Sequence, residues 1–193
     1  MFRALFNGPP ATRQHPFRVL AILSLARSIV WGASEDRFFF IIPIIDVFDR
    51  CIVDYHIGLS CEARDAAITL KRALLKRQLC VAKQKPVIRS DNRPQFISNL
   101  FEGTCLELNI EHERTPFKTP NLNAHIAAFH AILEEECLSR YEFASYAEAY
   151  QVVDSYIRFY NKIRIHSSTK YLAPAECYEM LRQKQLELKP VKV

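Results

Sequence analysis

The stretch "VIRSDNRPQF" (residues 87–96) sets an acid directly after a short apolar run, with the turn-forming Asn92 and Pro94 close behind it. A carboxylate at the carboxyl end of a strand is well placed to hold a hard divalent cation, because Mg²⁺ and Mn²⁺ prefer oxygen ligands. One carboxylate seldom makes such a site, so Asp91 needs partners from elsewhere in the chain. Taken alone, Ser-Asp-Asn is better read structurally, as an Asp capping a turn through Asn92. The six cysteines (51, 61, 80, 105, 137 and 177) contain no C-x-x-C pair, which disfavours zinc and dithiol redox chemistry. Scattered thiols of this kind are small buried apolar residues of a reducing compartment.

The elements that would position Asp91 can be read from periodicity. "RFFFIIPIIDVF" (37–48) is an aromatic and β-branched run, a strand buried on both faces, with Pro43 marking an edge or a bulge. After the turn at Asp49-Arg50, "CIVDYHIGL" (51–59) alternates as a hairpin partner does. Residues 61–79 place Ala66, Leu70, Ala73 and Leu74 on one helical face, and residues 86–91 form the short strand ending in Asp91. A Ser-capped helix over 98–108 and a short strand over 110–115 follow. Helices are then expected over about 121–140, 145–164 and 174–182. This order describes an α/β sheet flanked by helices.

Composition bounds the rest. At 193 residues, 49% apolar and 24% charged, the chain can bury one ordinary core. Its net charge of +5 fits a polyanionic partner without establishing one. Residues 1–34 carry no acid at all, the first being Glu35, and read as an atypical, poorly ordered extension; 35–182 form the core and 183–193 a tail. The apolar run 19–26 superficially resembles a signal peptide, but it starts late and Arg27 closes it. It is also far too short to span a membrane, so a cytoplasmic protein with no membrane partner is expected.

Three stretches together carry a specific resemblance: "SDNRPQF" (90–96), "TPNLNAHIAAFHAILEEE" (119–136) and "FYNKIRIHSSTKYLAPAE" (159–176). In order and spacing they resemble the catalytic core of insertion-sequence transposases and retroviral integrases, with the last stretch pointing to the bacterial branch. The likeness covers roughly residues 35–180. It implies a ribonuclease H-like mixed sheet flanked by helices. It also implies DNA transposition and integration chemistry, in which two Mg²⁺ or Mn²⁺ ions clamp the oxygens of an in-line phosphoryl displacement. The family holds those ions with two Asp and one Glu.

Asp91 matches the second acid of that set and is the candidate catalytic and metal-binding residue. The Glu position, 35 residues beyond it, is Ala127, whose helical neighbours Asn123 and His130 carry no negative charge; Glu134 is about 10 Å further along the axis. The strand of the first acid is matched by residues 24–34, which contain no carboxylate, so the first strand is expected to be replaced or degraded. Asp46 matches a family Asp that is not catalytic. Arg93 stands where the family has Gly, a place where a side chain would be strained if φ were positive.

The candidate DNA contacts are Lys118, Asn121, Asn123 and His125 at the start of the acid-bearing helix, and Lys162, Arg164, His166 and Lys170 at the basic end of the core. Helix N-termini receive phosphate, although Asn and His are equally good plain caps, and the basic end reads equally as a solvated helix terminus. Two functions stay open. An active recombinase would need an acid from another subunit. A non-catalytic remnant would bind DNA, itself or other transposase subunits without cutting. With one acid of three, Mg²⁺ or Mn²⁺ should bind weakly or not at all, and the second reading is favoured. A frame-shifted origin of residues 1–30 would account for the missing first acid.

Overall fold

A computed structural model describes residues 19–23, 25–31, 35–116 and 123–188, without side chains for 26–31 and 35–37. Six strands and five helices follow one another as β1 (Val19–Ile22), β2 (Leu25–Trp31), β3 (Glu35–Asp46), β4 (Ile52–Gly58), α1 (Ala63–Lys76), β5 (Val87–Ser90), α2 (Asn99–Glu107), β6 (Glu111–Arg114), α3 (Ala124–Glu136), α4 (Tyr146–Lys162) and α5 (Pro174–Arg182). In the sheet, β3 pairs antiparallel with β1, β2 and β4, while β5 pairs parallel with β1 and β6. The sheet is mixed and carries helices on both faces, as a ribonuclease H-like core does.

Within the segment 1–34, Val19–Ile22 and Leu25–Trp31 are strands of the sheet. β1 and β2 fill the place of the first strand, with β1 between β3 and β5 at the centre of the sheet. Ile22 pairs with Ile44 and Leu25 with Ile41, so both segments keep one register and form a single interrupted strand. The interruption sets Leu23 opposite Pro43, which has no N–H to give to the ladder. Pro43 therefore lies in an interior strand, beside this break and beside the register shift between Ile44 and Ile45 against β4. The expectation that residues 1–18 are an extension lies outside the described residues.

Alternation along the strands sorts two cores. Leu20, Ile22, Ile42, Ile44 and Ile88 meet Ala66, Leu70 and Leu74 of α1 and Phe101 and Cys105 of α2. Val19, Ala21, Phe39 and Ile41 meet Ile126, Phe129 and Leu133 of α3 and Val153, Ile157 and Tyr160 of α4. Helix α1 begins with a reciprocal Glu62/Asp65 capping box, and the Ser98 and Ser145 side chains cap α2 and α4. The hairpin turn is held by Asp49, whose carboxylate accepts from the Cys51 amide and pairs with the buried Arg77 guanidinium at 2.9 Å. All six cysteines are free thiols, Cys105, Cys137 and Cys177 being buried. Among the described residues no helix is long and apolar enough to cross a membrane.

Candidate metal and nucleic-acid site

Asp91 follows β5 directly, and the elements around it are tied together by backbone and side-chain hydrogen bonds. The Thr115 amide donates to the Ser90 carbonyl at 2.9 Å, and Asn92 Nδ2 donates to the Thr115 carbonyl at 2.8 Å. Asn123 Nδ2 then donates to Thr115 Oγ1 at 3.2 Å. These links moor the start of α3, the helix carrying Ala127, to the loop carrying Asp91. Ser90 is fixed in turn: its hydroxyl donates to the Asp91 carbonyl at 2.8 Å and lies 2.8 Å from His112 Nε2. His112 Nδ1 is 3.1 Å from Glu102 Oε2, close enough to pair yet not aligned as a hydrogen bond. A Ser-His-Glu line invites a nucleophilic reading. Ser90 is fully buried, however, so no substrate reaches its hydroxyl and the line is a brace.

The Asp91 carboxylate has a partner within its own loop. Arg93 Nε lies 3.1 Å from Oδ2, and the Arg93 amide donates to Oδ1 at 3.2 Å. The strain expected at Arg93 is not incurred, because its φ is not positive. Burial holds the Asp91 carboxyl above the usual range, against the opposing pull of the Arg93 amide and guanidinium. The fold therefore keeps a proton on Asp91 more readily than the unfolded chain does, and the ionised acid adds nothing to stability at neutral pH.

Neither of the other ligand positions offers an acid. β1 and β5 run parallel with Ala21 beside Arg89, and continuing that register sets Leu23 level with Asp91. Asp46 pairs with Leu20, itself level with Ile88, and its Oδ1 accepts from the Phe48 amide in the hairpin turn. Ala127 presents an exposed methyl group. On the same face of α3 the polar atoms near it are Asn123 Oδ1 and His130 Nε2, both buried and without a hydrogen-bond partner. Burial, then Arg93, pushes the His130 imidazole down to about 4, so it is neutral at physiological pH. One amide oxygen and one imidazole nitrogen do not make the oxygen-rich octahedron that Mg²⁺ requires. Among the described residues no group of three or more His, Cys, Asp or Glu side chains could hold a metal ion. The residues present do not fit the metal pair that the family resemblance implies.

The expected DNA contacts divide into two groups, with Lys118 and Asn121 outside the described residues. Asn123 starts α3 without capping it through its side chain, and His125 is pushed down to about 4 by burial and then by Arg50 and Arg89. At the exit of α4, Lys162 and Lys170 are exposed, Lys170 in a left-handed conformation. Arg164 is committed to Glu136, Nη2 to Oε1 at 2.7 Å, and Tyr156 donates to the same carboxylate. His166 packs edge-on against Tyr160 with ring centroids 4.9 Å apart. It too is pushed down to about 4, by burial, Arg164 and Arg50, with Glu136 opposing. His125 and His166 thus carry no positive charge at neutral pH, and Arg164 carries one already offset. Sequence reasoning missed the pairing of Arg93 with Asp91; its signal was a cationic side chain two residues from that acid.

Residues 108–174 match the family model described as "Integrase core domain". An uncharacterized 39.2 kDa protein of insertion element IS476 from Xanthomonas euvesicatoria is 34% identical over 146 residues, covering 75% of this chain and 40% of that protein. The transposase for insertion sequence element IS904 from Lactococcus lactis is 28% identical over 137 residues, covering 68% of this chain and 51% of that protein. Among solved structures, the simian T-cell lymphotropic virus intasome in complex with PP2A regulatory subunit B56 gamma superposes with a TM-score of 0.66 at 15% identity. That match covers 97% of this chain and 64% of the other. The chain is thus similar to insertion-element proteins over about three quarters of its length and to an integrase core over residues 108–174. It spans about half the length, or less, of these insertion-element relatives.

Proposed function

We propose that this chain is a transposase-type core that engages DNA, and other copies or transposase subunits, without cutting. It would act in the cytoplasm, where its free thiols stay reduced. The observation carrying this reading is the state of Asp91. Its carboxylate is paired with Arg93, Ala127 stands 35 residues beyond it, and no residue before Glu35 is an acid. In-line cleavage needs divalent ions to stabilise both the attacking and the leaving oxygen. One carboxylate, already neutralised, cannot offset the +4 of two such ions. The test is a labelled-end cleavage and strand-transfer assay with Mg²⁺ or Mn²⁺. No product is expected on any donor end. Metal-dependent cutting that Asp91→Ala abolishes would overturn the reading and favour an active recombinase.

A further inference from the structure

We infer that the groove between α1 and α2 is a self-association surface, closed by the same groove of a second copy with the two α2 helices antiparallel across Gly103. Self-association is part of the reading above, on which this rests; the surface, its symmetry and the residues that meet are new.

Gly103 sits in the middle of α2, where glycine is the least favourable residue after proline. Its own fold does not require it: outside its helix, a Cβ placed there meets no heavy atom within 4 Å. What the missing side chain does permit is close approach by another backbone. Gly103 lines a groove of about 520 Å³, together with Arg64, Ile68 and Lys71 of α1 and Leu100 and Glu107 of α2. Ile68 is 43% exposed, Leu100 50% and Leu106, on the same outer face of α2, 80%. Clustered apolar surface beside a groove marks a place where a partner sits.

Charge selects a second copy as that partner. Helices α1 and α2 run in the same direction along the groove: Lys71 Nζ lies 3.6 Å from Glu107 Oε2 at one end, and Arg64 and Asn99 line the other. Arg64 is exposed and has no carboxylate partner among the described residues, and the Glu107 side chain stays 71% exposed beside Lys71. One groove therefore carries an available cation at one end and an available anion at the other. A twofold axis through Gly103 that sets the α2 helices antiparallel brings the Glu107 end of each groove over the Arg64 end of its counterpart. An Arg64–Glu107 pair then closes each side of the axis, and Leu100 faces Leu106 of the second copy between them. A parallel pairing would instead set Arg64 on Arg64 and Glu107 on Glu107.

The experiment is sedimentation of the full chain, without DNA, over a range of concentrations. Wild type is compared with Gly103→Leu, Arg64→Glu, Glu107→Arg and an equimolar mixture of the two charge variants. Wild type should dimerise. Gly103→Leu fills the groove without meeting another part of its own fold and should leave the chain monomeric. Arg64→Glu and Glu107→Arg each set like charges together on both sides of the axis and should weaken association more than about tenfold. Their mixture should regain it, because each variant then meets the opposite charge in the other. Circular dichroism melts check that each variant is folded. Wild-type association that survives Gly103→Leu and both charge variants would put the interface elsewhere; the inference then fails while the self-association reading stands. Charge variants that weaken association without recovery on mixing would refute the antiparallel pairing and seat a different segment in the groove. A wild-type monomer at every concentration would sink the self-association reading and this inference together, leaving the DNA reading untouched.

Discussion

His166 offers a direct test of the electrostatics at the exit of α4. Its ring packs against Tyr160, its Nε2 is buried without a partner, and Arg164 and Arg50 act on it. With the imidazole pushed down to about 4, the folded chain resists a proton that the unfolded chain accepts near the ordinary value of 6.5. The sign follows: this depressed His favours the fold above the unfolded value, and that contribution is lost as pH falls from there towards 4. At about pH 5 an unfolded imidazole is almost wholly protonated and the folded one about nine-tenths neutral, which costs the fold about 2 kcal/mol. His166 is partly exposed, and solvent screening brings the expected loss nearer 1 kcal/mol. His166→Phe keeps an aromatic ring against Tyr160 and removes both the titrating group and the unpartnered nitrogen. Urea unfolding of wild type and variant at about pH 7.5 and about pH 5 should show the variant losing less stability by about 1 kcal/mol. Equal pH dependence in the two proteins would refute the reasoning. So would an imidazole resonance in the folded wild type that titrates near 6.5.

Ala127→Glu alone should leave cleavage undetectable in the labelled-end assay, because Leu23 still supplies no carboxylate and Arg93 still holds Asp91. Asp49→Ala leaves the buried Arg77 cation without its 2.9 Å partner and should cost about 3–5 kcal/mol by chemical denaturation. Replacing both residues with apolar ones should cost less than that single change. Asn123→Ala cuts the link between α3 and Thr115 and should cost about 1 kcal/mol. Hydrogen exchange should then speed up in the first turn of α3 more than in α4.

Elements with strong periodicity were legible in the sequence. The alternation of residues 51–59 and the helical spacing of 61–79 fall within a few residues of β4 and α1, because burial on one face leaves an unambiguous pattern. The central strand was legible only in part. Residues 24–34 could be matched to the family strand by position, but they carry no acid to anchor the match, and only pairing with β3 and β5 shows that the strand begins at Val19. At the site, the alanine 35 residues beyond Asp91 and the absence of any carboxylate before Glu35 could be counted along the chain. The Arg93–Asp91 pair could not, since a charge two residues away becomes a partner only through the turn between them. Nor could the commitment of Arg164 to Glu136, a contact across 28 positions of sequence.

The register that β1 and β2 share against β3 has a consequence for how the segment tolerates substitution. The strand earns its central place through Leu20 and Ile22, which pack under α1 and α2, whereas the residue level with Asp91 sits at the break opposite Pro43. Assembly and chemistry are thus written in different letters of the same segment. A change of residue at the level of Asp91 therefore leaves the packing of Leu20 and Ile22 beneath the helices in place.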